Sequence, residues 1–142
     1  MGSLLWNNDD YSVQIPSIDY EHKILVAMVN EIDSAMQTQG PSNSQIILDK
    51  LANLSNGIKN HFESEERFLL LNNYPEYDAH KLEHTILVEQ LDTFESQFKL
   101  EEKPFSEEML LFLKDWLIRH LILHDRKFGY YYKDKEVSSH YD

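Results

Sequence analysis

Seven histidines, no cysteine and 25 acidic residues are what this chain of 142 residues offers for chemistry, and several of them recur at one spacing. His61 and Glu65 stand four apart in "HFESE", His80 and His84 in "HKLEH", and His120 and His124 in "RHLILHD". A helix advances ~100° per residue, so positions four apart differ by ~40° and send two donors from one face. That is ligand geometry for a metal ion. Each fragment alone is a weak signal, because such pairs recur by chance on surface helices, and a lone histidine on an apolar face, such as His22, is more often a hydrogen-bonded core residue. The last fragment carries its own ambiguity: Asp125 follows His124 directly and competes with it as the partner of His120, although five residues is ~140° of turn.

The elements that must position these residues are helices. Only four prolines occur, and Pro16, Pro41, Pro75 and Pro104 fall between periodic segments rather than inside them. The first segment, for which Asp19 is the expected N-cap, carries Ile18, Leu25, Val29, Ile32 and Met36 on one stripe, with His22 on the same stripe. In the second, Ile47, Leu51, Leu54 and Ile58 give way to His61, Glu65 and Phe68 without a change of phase. The third begins with His80 and His84 and continues through Leu87, Leu91, Phe94 and Phe98. The fourth, with Ser106 as N-cap and Glu107 and Glu108 at the positive end of the dipole, runs through Met109, Leu113, Trp116 and His120.

Four helices of about 20 to 28 residues with short connections predict an all-α, antiparallel up-and-down four-helix bundle. We expect a single domain, with an N-terminal arm over residues 1–17, the bundle over about 18–133 and a polar tail over about 134–142. In that topology the early halves of helices one and three and the late halves of helices two and four share one end. His22, His61, Glu65, His80, His84, His120 and Asp125 therefore converge on one layer.

Composition narrows what that layer can be. A formal net charge of −12 repels phosphate backbones and anionic lipid, so no nucleic-acid or membrane partner is expected. Without cysteine there is no disulfide, thiolate metal site or cysteine nucleophile. Neither a secretory leader nor an apolar run of the ~18 residues needed for a span is present, and a cytoplasmic location is expected. Burying five imidazoles and two carboxylates unpaired would cost several kcal/mol per charged group. A metal centre satisfies them together. Nitrogen and oxygen donors suit a first-row metal, iron above all with zinc its main competitor, rather than calcium or magnesium. Seven donors exceed one tetrahedral zinc, so two ions bridged by the two carboxylates is the natural division.

The series "SIDYEH", "HFESEE", "HKLEH" and "WLIRHLILHD" resembles the hemerythrin family, and the likeness to its bacterial branch, the bacteriohemerythrins, covers nearly the whole chain. The resemblance implies two iron ions, cycling between Fe2+ and Fe3+, with a bridging oxo or hydroxo group. It assigns His80, His84 and His120 to one iron, His22 and His61 to the other, and Glu65 and Asp125 to both. The second iron would keep one position open for dioxygen, beside a water-poor pocket walled by Trp116, Leu117 and Leu121 with Phe62 nearby. Ordinary core packing explains the same four residues. The implied function is reversible dioxygen binding for carriage, storage or sensing, without enzymatic turnover and with a protein acceptor or signalling partner left open. A sensor would need an output module, and none is expected within these residues, which favours delivery or storage over sensing unless the chain is a fragment of a larger receptor.

Charge then decides between His124 and Asp125. Two Fe2+ ions with Glu65, Asp125 and a hydroxide leave about +1, whereas neutral His124 in place of Asp125 leaves about +2 in a low-dielectric core. Because His120 and Asp125 are five apart, either the fourth helix is widened near Leu121 to Asp125, as in a π-type bulge, or Asp125 approaches from the flank. His124 is expected to be dispensable.

Two positions depart from the family's habit: Glu21 stands where Gln is frequent, and Leu121 where Ile is frequent. Trp6 matches a usual N-terminal Trp and is read as packing; His140 is read as solvated. Glu63, Glu66 and Arg67 read as surface charges, Glu66 being the one in a place to back a histidine. The alternative function is a di-iron oxidoreductase acting on peroxide or nitric oxide. Ferritin-like oxidases use paired Glu-x-x-His motifs, and here no Glu stands three residues before any histidine. A structural bundle holding zinc or no metal is the third reading, and the count of buried ligand-type residues weighs against it.

Overall fold

The computed structural model describes residues 4–39, 44–101, 106–133, 135 and 137, without the side chains of Gln39, Ser44, Leu100, Glu101 and His120. A one-turn helix, α1 (Asn8–Tyr11), opens the arm, with the Asn7 side chain accepting from the backbone N–H groups of Asp9 and Asp10. Three long helices follow: α2 (Pro16–Gln39), α3 (Ser44–Leu71) and α4 (Tyr77–Glu101). The fourth limb of the bundle is composite. It starts as α5 (Glu107–Asp115), capped by Ser106, which accepts from Met109 N. It passes through a π-helical stretch (Trp116–Ile122) and a 3-10 turn (Leu123–Asp125), and ends as α6 (Arg126–Tyr132). Packing runs α2 on α3, α3 on α4 and α5 back on α2, an up-and-down bundle with no strand among the described residues. No helix among those residues is long and apolar enough to cross a membrane.

The bundle has two apolar clusters with a polar layer between them. The larger holds Leu25, Val29, Ile32, Leu51, Leu54, Ile58, Leu87, Leu91 and Leu117; the smaller, at the other end, holds Val13, Ile15, Ile18, Phe68, Tyr74, Phe128 and Tyr132. Each limb crosses from one to the other through a histidine or carboxylate. In α2 the order is Ile18, His22, Leu25; in α3 it is Ile58, His61, Glu65, Phe68; in the fourth limb it is Ile122, Asp125, Phe128. Removing these large side chains from water is the main force holding the layer closed, at about 1.5–3 kcal/mol for each fully buried one.

Two expectations about local structure change. Pro16, with its φ already helical, starts α2 earlier than Asp19 could cap it. Asp19 lies inside the first turn and pins the arm instead, accepting from Ser12 Oγ at 2.5 Å and Val13 N at 2.9 Å. The widened stretch begins at Trp116, a turn before the expected Leu121 to Asp125, and a tight 3-10 turn compensates after it. Bonds from i to i+5 widen the helix by one residue over Trp116–Ile122, the segment that leads into the turn ending at Asp125. Further along the arm, Leu4 exchanges backbone hydrogen bonds of 2.8 Å with both ends of the Asn30 amide. Trp6 is half-buried and meets Tyr11 edge-on at 5.7 Å.

Candidate metal centre

His22 on α2, His61 and Glu65 on α3, His80 and His84 on α4, and Asp125 at the end of the 3-10 turn are all buried, none more than 4% exposed. His22, His61, His80 and His84 all turn Nε2 towards the two carboxylates. His22 Nε2 lies 2.8 Å from Asp125 Oδ2 and 3.1 Å from His61 Nε2. His61 Nε2 lies 3.0 Å from Glu65 Oε2 and 3.6 Å from Asp125 Oδ2. Across the layer, His80 Nε2 is 2.6 Å from Glu65 Oε1 and 3.2 Å from Asp125 Oδ1, and His84 Nε2 is 2.9 Å from Glu65 Oε1. Each carboxylate thus gives one oxygen to the His22 and His61 side and the other to the His80 side. Two four-donor groups result, His22, His61, Glu65, Asp125 and Glu65, His80, His84, Asp125, which share both carboxylates.

The electrostatics are those of a cation-demanding site. Burial alone lowers the His61 pKa, yet Glu65, Asp125 and Glu21 together hold it well above its ordinary value. The same contest leaves His80 pushed up to about 10, burial again being overcome by Asp125 and Glu65. Glu65 is driven up by burial and brought well below the usual carboxylate range by His61, Asp125 and His80. Asp125, raised by burial and by the neighbouring Glu65, is brought below its usual value by His22 and His61. Protons on imidazoles supply the positive charge that two adjacent carboxylates require. Even so, among the described residues two buried atoms lack hydrogen bonds: His22 Nδ1 and Glu65 Oε2, which is close to His61 Nε2 without a hydrogen bond's alignment.

Behind the inward-facing atoms stand further carboxylates. His61 Nδ1 donates to Glu21 Oε1 at 2.7 Å, and Ser64 Oγ donates to Glu21 Oε2 at 2.8 Å. His84 Nδ1 donates to Glu66 Oε2 at 2.8 Å. Of the three residues read as surface charges, Glu63 and Arg67 are exposed and Glu66 backs a histidine. The place of Glu21 behind His61, and Ser64 altogether, escaped the sequence reading. The available signal was positional: Glu21 adjoins His22, and Ser64 follows His61 by three.

The remaining expected residues fall as follows. Phe62 is buried and stacks on His84 with ring centres 3.9 Å apart and planes 6° apart. Trp116, Leu117 and Leu121, all carried by the π-helical stretch, are buried in the larger core cluster with Phe62. Trp116 also donates from Nε1 to Gln90 Oε1 at 3.1 Å. The backbone of His120 belongs to that stretch; its side chain, like all of His140, lies outside the described residues. His124 is half-buried, belongs to neither four-donor group, and its ring stacks on His80 at 5.1 Å.

A model of the hemerythrin HHE cation-binding domain matches residues 13–129. The bacteriohemerythrin of Methylococcus capsulatus is 27% identical over 129 residues, 91% of this chain and 96% of that protein. A myohemerythrin from Theromyzon tessulatum is 30% identical over 114 residues, 80% of this chain and 82% of its own. Among solved structures, a wild-type hemerythrin crystal structure aligns with a TM-score of 0.77 at 26% identity, covering 90% of this chain and 96% of the other.

Proposed function

The chain belongs to the hemerythrin HHE cation-binding family, and on that premise we propose that it binds dioxygen reversibly at two iron ions held by the buried histidine and carboxylate layer. One observation carries the reading: Glu65 and Asp125 each divide their two oxygens between two sets of imidazoles. A carboxylate serving a single ion, or a neutral core network, has no need of that division. The donor chemistry fits, being nitrogen and oxygen without thiolate, and so does the buried Glu65 Oε2 left without a hydrogen bond. In this reading His22 and His61 hold one ion, His80, His84 and His120 the other, and Glu65 and Asp125 both.

Two iron ions held there would supply the electrons for reversible dioxygen binding. The chain's own part is placement and exclusion. Glu65 and Asp125 offset the ionic charge where desolvation would otherwise forbid it. Phe62, Trp116, Leu117 and Leu121 keep water from the layer, which slows loss of the ligand and oxidation of the metal.

Metal analysis after expression with iron should give two irons per chain and a coloured protein with oxo-to-iron charge-transfer bands. Anaerobic reduction followed by air should then give an oxygenated spectrum that reverses under argon. A colourless protein holding zinc or no metal overturns the reading. Rapid bleaching with release of peroxide would assign an oxidase-type centre instead.

A further inference from the structure

The imidazoles of the layer are not backed alike. His61 has Glu21 behind it and His84 has Glu66, whereas the buried Nδ1 of His22 has no hydrogen-bond partner. Within the two-histidine half, Glu21 is therefore the one carboxylate among the described residues behind a ligand-type imidazole. Its placement is built rather than incidental: one oxygen accepts a hydrogen bond from His61 Nδ1, the other accepts from Ser64 Oγ, and the side chain is 23% exposed. It also walls a groove of about 380 Å³ between α2 and α3, beside Met28, Gly57 and Asn60.

We infer that Glu21 is a positioning residue that makes the His22 and His61 half of the centre electron-rich and so biases this chain towards slow release of dioxygen. The inference rests on the di-iron reading above. A carboxylate at Nδ1 fixes the tautomer, leaving the Nε2 lone pair for the metal, and its negative charge makes the imidazole a stronger donor. Stronger donation favours the ferric over the ferrous ion. Dioxygen is held by electron density lent from iron, so a more electron-rich iron keeps it longer. A Gln at this position, frequent in the family, would keep an acceptor for His61 and remove the charge. Glu66 does the same service for the opposite half, whereas Glu63, an exposed carboxylate of α3 that stands outside both four-donor groups, provides the control.

The test uses Glu21→Gln, Glu21→Leu and Glu63→Gln. In the zinc-loaded wild-type protein, nitrogen NMR should place the His61 proton on Nδ1 in a strong hydrogen bond. Zinc affinity should fall about 10-fold in Glu21→Leu, as for other lost partners of metal-bound histidines, and less in Glu21→Gln. Iron-loaded Glu21→Gln should show a raised reduction potential and faster dioxygen release; Glu63→Gln should release dioxygen at nearly the wild-type rate. The inference is overturned if Glu21→Gln keeps the wild-type potential and off-rate, which is what a purely structural role predicts, or if His61 carries no proton on Nδ1. A wild-type chain that takes up fewer than two ions would instead sink the di-iron reading, so the two failures are distinguishable.

Discussion

Replacing Asp125 by Ala removes a side chain that is 2% exposed and touches both halves of the layer, through Oδ2 at 2.8 Å from His22 and Oδ1 at 3.2 Å from His80. With two Fe2+ ions, Glu65 and one hydroxide, the change leaves about +2 where Asp125 had reduced it to about +1. Taking one partner from a buried ionic set costs roughly 3–5 kcal/mol. At about 1.4 kcal/mol per factor of ten, that is a loss of ~100-fold to a few thousand-fold in iron affinity. Anaerobic competition against a coloured Fe2+ chelator measures it, and desalted protein should retain almost no iron. The matched control is His124→Ala. His124 is half-buried and contributes a ring stack on His80 with planes 16° apart; losing it costs about 0.5–1.5 kcal/mol of stability beyond the buried area and leaves both ions in place. An Asp125→Ala protein with wild-type iron affinity, or a His124→Ala protein stripped of iron, would refute the reasoning.

Other perturbations follow from the same layer. In the metal-free protein, His80 is raised from 6.5 to about 10, so its contribution is whole below 6.5 and vanishes as the pH approaches 10. Glu65 and Asp125 lie below their ordinary 4.5 and 3.8, so theirs is whole above those values and is lost as the pH falls. Thermal melts in chelator should therefore peak between about pH 5 and 6.5, whereas iron-loaded protein should lose metal on acidification, because bound imidazoles must shed their protons; a metal-free melting point that climbs steadily from pH 6 to 9 counts against the network. Leu121→Ala should cost about 2–5 kcal/mol and speed oxidation of the loaded centre by admitting water, checked by denaturation and by the decay of the oxygenated spectrum; unchanged decay removes Leu121 from the pocket. Gly129→Ala would drive a Cβ into the backbone carbonyl of Val13. It should cost about 1–3 kcal/mol and expose the arm to proteolysis near Val13, and an arm as resistant as wild type would contradict the close approach.

How much could be read in advance depended on whether a feature was local. Leu25, Val29, Ile32 and Met36 repeat at the helical period because one face of α2 is buried, and that face was legible. His61 with Glu65 and His80 with His84 were legible for the same reason, each pair sharing one helix. Partners that depend on how two helices cross were not. Glu21 and His61 are 40 positions apart and meet only because α2 lies against α3. Lys114, buried with its ammonium 2.8 Å from Asp33, carries no periodic sign of that pairing. The π-helical stretch falls between these cases. No residue type announces i to i+5 bonding; the mismatch between His120 and Asp125 left a widened helix and a flanking approach as alternatives, and both the widening and its start at Trp116 required the structure. Asp19 shows a local rule overridden by another, since Pro16 begins the helix first and frees the carboxylate to hold Ser12 and Val13.

The claim at the centre of this account is that two carboxylates are shared by two metal ions. Anomalous diffraction at the iron edge from crystals of the iron-loaded protein tests it most directly. The account predicts two iron peaks in the buried layer, one beside His22 and His61 and one beside His80 and His84, with Glu65 and Asp125 each touching both. A single peak, or two peaks with no carboxylate in common, would contradict it.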